Sequence, residues 1–267
     1  TPHIRIHCEQ KGQQLVIHYQ DNGIGDYSFN TLYKLRWLKE NEPQCAAVIE
    51  EKKDDLLDFM VLKKYAHGAK QLYSHDRWCA VGDAGVFADP FYSPGTDFIG
   101  MSNSWISDLI TRDLNQEDIH VRTIVYERTH KAMFENWLHI YTNKYPLFGQ
   151  SQIMIPKIFW DWANYWAIPS LLFFNGGYTD MDVLRALFFN EDSPGQKFGK
   201  LNQSVQQLFM DWGKFQEQDH SNFYIDPFEI KFLEDLHLDL KINYTGNQLI
   251  EKVVDNLQAN HSAHPPF

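Results

Sequence analysis

One segment constrains the fold of this chain more than any other: Val81-Gly82-Asp83-Ala84-Gly85, continuing through Asp89-Pro90-Phe91-Tyr92 into Ser93-Pro94-Gly95-Thr96-Asp97. Ahead of it, Arg77 to Val81 reads as a short strand. Gly82-Asp83 then bends the backbone and leaves a carboxylate at the sheet's edge. Beyond Ser93-Pro94-Gly95, the spacing of Phe98, Ile99, Ile106, Leu109 and Ile110 predicts a helix from Thr96 to Leu114. Strand ends that feed helix starts are where open sheets bind ligands. The start of a helix offers free N–H groups and a positive dipole end, suited to an anion or an electron-rich carbonyl. Gly95 lets a flat ligand approach the backbone closely. An ionised Asp83 suits the hydroxyls of a sugar or polyol, because charged acceptors make the stronger hydrogen bonds. Gly-Asp and Asp-Pro alone mark ordinary turns. Their combination with Ser-Pro-Gly directly ahead of a helix sets this stretch apart.

Around the segment the chain changes character. His3 to His7 and Gln14 to Tyr19 suggest a hairpin about Lys11-Gly12. Asn30 offers a cap for a short helix stopped by Pro43, and Cys45 to Lys52 continues as helix or strand. Phe59 to Tyr65 and Gln71 to Tyr73 have strand character, separated by a turn at His67-Gly68. After residue 114 the pattern is helical. Asn115 is a candidate cap for a long helix reaching Tyr141, with Glu117 and Asp118 in its first turn. Residues 153–174, 180–190, 200–219 and 246–259 carry further helical patterns, and His261 to Phe267 reads as a tail. The fold class expected is α+β and mostly helical. A soft boundary divides a mixed part, 1–114, from a helical part, 115–267. The run Phe159, Trp160, Trp162, Tyr165, Trp166, Phe173, Phe174 covers every face of a helix. It reads as core, or in part as the wall of an apolar pocket.

Composition excludes several classes. Disordered chains combine low hydrophobicity with high charge, whereas 43% of this chain is hydrophobic. With 24 Lys+Arg against 35 Asp+Glu the net charge is −11, which disfavours a nucleic-acid partner. The longest apolar run, Trp162 to Phe174, is broken by Asn164 and Pro169 and is too short for an integral membrane segment. Cys8, Cys45 and Cys79 are too far apart for a redox pair or zinc knuckle, which points to a reducing, cytoplasmic compartment. The histidines form no metal-ligating pattern, and no metal is expected. Asn202-Gln-Ser204, Asn243-Tyr-Thr245 and Asn260-His-Ser262 match a glycosylation triplet that arises often by chance.

The stretch Arg77 to Gly85, with Asp89-Pro90-Phe91-Tyr92-Ser93-Pro94-Gly95-Thr96-Asp97-Phe98-Ile99, resembles the second flavin-binding motif of the flavin-dependent halogenases, within the wider class of FAD-dependent monooxygenases. The resemblance extends over Leu109 to Leu114, Tyr145-Pro146-Leu147-Phe148-Gly149 and Phe159-Trp160-Asp161-Trp162, or roughly residues 28 to 220. It implies the C-terminal portion of an FAD-binding monooxygenase fold, with FAD as cofactor. Asp83 would bind the ribityl chain, Pro90 would lie along the isoalloxazine, and the amides near Gly95 would face its pyrimidine edge. Gly82, Ala84, Ser93, Pro94 and Thr96 complete the implied cofactor-binding set, while no catalytic residue is assigned. The implied activity is oxygenation or halogenation of a small organic substrate through a peroxyflavin, with a separate flavin reductase as partner.

Two departures from the family's pattern shape the expectation. The strand, G-x-G-x-x-G turn and helix that hold the ADP part of FAD are not found, nor are the tryptophan-rich motif and catalytic lysine. Gly23-Ile24-Gly25, with Glu50 downstream, is rejected as a substitute. Asp21 and Asn22 intervene after the strand, Ser28 replaces the third glycine, and Asp26 would set a carboxylate beside a pyrophosphate. Lys34, Lys63 and Lys64 read as solvated charges. A chain beginning at Thr1 is expected to be the later part of a longer reading frame, lacking that N-terminal unit. The second departure is Pro94, which removes an N–H from the segment where the family binds halide. Halide would then depend on Gly95, Thr96 and the helix dipole. Alternative readings are a flavin-dependent reductase of an unsaturated lipid, or a non-catalytic fragment acting as a helical interaction module.

Overall fold

The computed structural model describes residues 5–11, 14–20, 39–55, 66–215 and 226–262. Two compact units emerge: residues 1–65 with 142–149, and residues 66–141 with 150–267.

In the first unit the expected hairpin forms. Strand β1 (Arg5–Lys11) pairs antiparallel with β2 (Gln14–Gln20), Arg5 lying opposite Gln20 and Lys11 opposite Gln14. Pro43 stops a helix as expected, residues 39–41 being helical and the helix ending before Glu42, and it also begins the next one: it occupies the first turn of α1 (Pro43–Lys52). That turn has no intrahelical acceptor for its N–H, so proline loses nothing there. Glu50 on α1 accepts from Lys39 at 2.6 Å and from Lys53 at 2.5 Å, which holds its carboxyl down at about 2. Residues 30–38 of the candidate helix after Asn30, the strand at Phe59 to Tyr65, Gly23-Ile24-Gly25 and Lys34, Lys63 and Lys64 lie outside the described residues.

The second unit pairs two short ladders with a set of helices. Strand β3 (His67–Gly68) pairs with β6 (Val86–Phe87), and β4 (Tyr73–Ser74) with β5 (Trp78–Cys79), both antiparallel. His67-Gly68, expected as a turn, is therefore strand, because the backbone of residues 86–87 returns alongside it. The helices are α2 (Pro94–Leu114), α3 (His120–Tyr141), α4 (Ser151–Tyr165), α5 (Leu171–Phe174), α6 (Met181–Phe188), α7 (Pro194–Gly213), α8 (Lys231–Asp239) and α9 (Gly246–Ser262). A π-helical turn, Trp166–Ser170, joins α4 to α5 around Pro169, whose missing N–H breaks the regular ladder. Asn115 ends α2 instead of starting α3: its N–H donates to the Thr111 carbonyl at 3.1 Å. Asp118 supplies the cap, accepting from the His120 N–H at 2.9 Å. Helix α8 was not expected from the sequence.

The core of this unit is built around Trp105 of α2, fully buried. Its ring packs on Tyr73, Tyr126, His130 and Tyr178, and its indole N–H donates to the Tyr178 carbonyl at 2.7 Å. Truncating so central an indole costs about 3–5 kcal/mol. Asp108 of α2 ties the two long helices together, accepting from Tyr126 at 2.6 Å and from Arg122 at 3.1 Å. Among the described residues no helix is long and apolar enough to cross a membrane.

Candidate functional site

The site begins where the chain leaves β5. The expected strand end is replaced by a 3₁₀ turn, Gly82–Ala84, entered through Ala80 and Val81. It is closed by the Ala84 N–H on the Val81 carbonyl (3.1 Å) and the Gly85 N–H on the Gly82 carbonyl (2.9 Å). An open sheet edge is not what positions it, because the ladders on either side are only two residues long. What positions it is α2. Gly82 sits at φ +54°, and a Cβ there would lie 2.8 Å from Ile99 Cγ1 on that helix. A side chain is therefore excluded on two counts, conformation and contact. His67 Nε2 donates to the Asp83 carbonyl at 2.8 Å and pins the turn from the β3 side.

The carboxylate of Asp83 is left exposed and reaches the start of α2. A Cβ built on Gly95 would meet Asp83 Oδ1 at 3.7 Å and nothing else within 4 Å. The backbone at Gly95 thus faces a space that its own chain leaves open. Between the two, the Asp89 carboxylate accepts from the Phe91 N–H at 2.9 Å, and the Ser93 N–H donates to the Pro90 carbonyl at 2.9 Å. Tyr92 and Ser93 follow in left-handed conformation, φ 64° and 57°. For residues with side chains this costs on the order of 1–3 kcal/mol each. These two residues turn the chain so that buried Pro94 becomes the first residue of α2.

Of the eight residues expected to hold a cofactor, Gly82, Asp83 and Ala84 share the 3₁₀ turn, and Ser93, Pro94, Gly95 and Thr96 the helix start it packs against. Pro90, half-buried, lies in the loop between. Thr96 is already engaged: its N–H and its hydroxyl both donate to the Ser93 carbonyl, at 3.2 and 2.8 Å. The first turn of α2 also carries Asp97. Halide therefore finds neither of the Thr96 donors free, and a carboxylate stands beside them.

Asp97 leads to an apolar pocket of the kind read from the aromatic run, which supplies Trp162 and Tyr165, though its polar residues were not singled out by the sequence. A cavity of about 300 Å³ opens within the helical unit, walled by Tyr92, Trp137, Trp162, Tyr165, Phe188 and Phe198. Thr96, Asp97, Asp161, Asn136, Asn164 and Asn202 also reach it. Tyr165 donates to Asp97 Oδ1 at 2.7 Å; burial pushes the Asp97 carboxyl up and the Tyr165 hydroxyl up to about 12. Behind the wall, Asp161 accepts from Lys157 at 2.5 Å, from Gln206 at 2.7 Å and from Tyr92 at 3.2 Å. Lys157 and Asp161 are both buried, four residues apart on α4. Asn202 accepts from the Trp160 indole at 2.8 Å and is 3% exposed, so its glycosylation triplet cannot receive a sugar in the folded chain. The signal for this network was present as Lys157 and Asp161 at i,i+4 spacing within an otherwise aromatic helix.

No family model matches the sequence, and no solved structure matches it. A stretch of 25 residues, 9% of the chain, is 72% identical to an L-fuculokinase of Haemophilus influenzae, covering 5% of that protein. Over 155 residues, 57% of the chain, the sequence is 26% identical to the flavin-dependent halogenase chlA of Dictyostelium discoideum. That alignment covers 25% of the halogenase, so the chain spans about a quarter of the length of this curated relative. The mostly helical α+β architecture and this alignment agree: the chain is distantly similar to a flavin-dependent halogenase.

Proposed function

We propose that the chain forms the flavin-facing part of an FAD-dependent oxidoreductase of the monooxygenase or halogenase type, acting on a small organic substrate with a separate reductase as partner. The observation that carries this reading is the exposed Asp83 carboxylate set against the bare backbone of Gly95. The residues fit the group. A ribityl chain is a run of hydroxyl donors, and Asp83 offers ionised acceptors. A flat ring needs backbone without a side chain, and Gly95 provides it. The positive end of the α2 dipole favours negative charge on a reduced ring. The second carboxylate of that turn, Asp97, is engaged on its cavity side by the Tyr165 hydroxyl at 2.7 Å. When bound, the flavin supplies electron transfer to O2. The halogenase similarity supports a flavin at this site, and the engaged donors of Thr96 favour oxygenation over halide use.

The test is a titration of the chain with riboflavin and with FAD, followed by flavin fluorescence and visible absorbance. Riboflavin carries the ring and ribityl chain alone, which are the parts this site addresses. Saturable quenching by both is expected, with Asp83→Ala weakening each about ten-fold, the order of one charge-assisted hydrogen bond. A folded chain that takes up neither ligand would defeat the proposal.

A further inference from the structure

The cavity beside the flavin face has its own chemistry. Its wall holds two tryptophans, Trp137 and Trp162, with Tyr92, Tyr165, Phe188 and Phe198, and, among the described residues, no lysine, arginine or histidine. Two carboxylates reach it, and their situations differ. Asp161 is met by the Lys157 ammonium and two further donors. Asp97 accepts from the Tyr165 hydroxyl and forms no ion pair among the described residues. The cavity thus combines aromatic faces with one half-buried carboxylate that lacks a counter-charge.

Each class of occupant fares differently in such a space. An anion would meet Asp97 with nothing cationic to offset the repulsion. A neutral apolar molecule would cover the carboxylate and take water from it without replacing the hydrogen bonds. A bare metal ion would leave most of the 300 Å³ unfilled and the apolar wall without a partner. An organic cation satisfies both features: the carboxylate supplies the charge, and aromatic faces attract ammonium groups through their quadrupoles. The volume is at the lower end of ordinary small-molecule sites, about 300–1,000 Å³.

We propose that this cavity binds a small organic ammonium ion with an apolar body, its charged head at Asp97 and its body against Trp137, Trp162 and Phe198. The site does not depend on a flavin. Tyr92 and Thr96 belong both to this wall and to the loop and helix start that carry the flavin face, so an occupant lies next to that face.

Three near-isosteric probes test the assignment by calorimetry on the chain without flavin: 3-phenylpropylammonium, 3-phenylpropan-1-ol and 3-phenylpropanoate. The ammonium is expected to bind at least ten-fold tighter than the alcohol, with no detectable binding of the carboxylate. Asp97→Asn keeps an acceptor for Tyr165 and removes the charge, and should bring the ammonium-to-alcohol ratio close to one. Ile140→Trp fills the cavity from α3 and should abolish binding of the ammonium. An alcohol that binds as tightly as the ammonium, a carboxylate that binds best, or no binding by any probe would overturn the assignment. The wild-type comparison decides even where a variant does not fold. Failure of the riboflavin titration would leave this result standing, and failure here would leave the flavin reading untouched.

Discussion

Gly82 and Gly95 both belong to the candidate site, and they are glycines for different reasons. At Gly82 the backbone itself demands glycine, with φ at +54° and Ile99 blocking any Cβ. Gly82→Ala is expected to lower the unfolding free energy by about 1–2 kcal/mol, read from the urea midpoint. At Gly95 a methyl group would rest in ordinary contact with Asp83, inside a helix that alanine favours. Gly95→Ala should leave the urea midpoint unchanged or slightly higher while weakening riboflavin binding. A loss of stability without a loss of flavin affinity would reassign Gly95 to the fold. Residue types at these positions were readable from the chain, since bends, close approaches and hydroxyl acceptors each favour few side chains. The engagement of Thr96 was not, because a hydroxyl's choice between a ligand and the carbonyl three residues back depends on how Ser93 is turned.

Helix α3 carries a pH dependence into the fold. His130 is fully buried between Tyr73 of β4 and Phe98 and Trp105 of α2, with Nδ1 at 2.9 Å from the Tyr73 hydroxyl. Burial lowers its pKa from 6.5 to about 4, against a smaller upward pull from Glu127. The native imidazole is therefore neutral where the unfolded one takes up a proton. Its contribution is fully present above pH 6.5, begins to fall there, and is lost by about pH 4, up to about 3 kcal/mol in all. The urea midpoint should fall between pH 7 and pH 4.5, and His130→Gln should flatten that part of the profile. Helix α4 carries a different liability. Lys157→Met strands the buried Asp161 carboxylate and should cost about 3–5 kcal/mol, whereas Lys157→Met with Asp161→Leu should recover most of the loss in the same melt. The long helices α2, α3, α4 and α7 were legible because their apolar spacing repeats over several turns. Of the two-residue ladders, β4 and β5 touch the strands expected at Gln71 to Tyr73 and Arg77 to Val81, whereas the pairing of β3 with β6 was not legible, since a strand that short is defined by the backbone that returns beside it. The cap of α3 was misplaced for a similar reason: Asn115 and Asp118 are both suitable, and the left-handed Gln116 between them decides which one is used.

For the whole molecule, charge and the cavity make one combined prediction. A chain of net charge −11 draws cations toward it, so association of an ammonium probe should slow as ionic strength rises. Occupancy must also stabilise the fold. At about 100 times its dissociation constant, such a ligand adds about 2.7 kcal/mol to the unfolding free energy, and Asp97→Asn should remove the larger part of that gain in a thermal melt. The sequence by itself determined the helical bias, the glycine- and proline-bearing loop between Gly82 and Thr96, and the acidic balance, because each follows from local residue types or from a sum over residues. Tertiary structure alone decided that Asp83 opposes Gly95, that Tyr92 reaches Asp161, and that Asp97 borders an aromatic cavity lined, among the described residues, by no cation. These contacts join residues up to 69 apart in the chain, and such partners are chosen by packing, which no local pattern encodes.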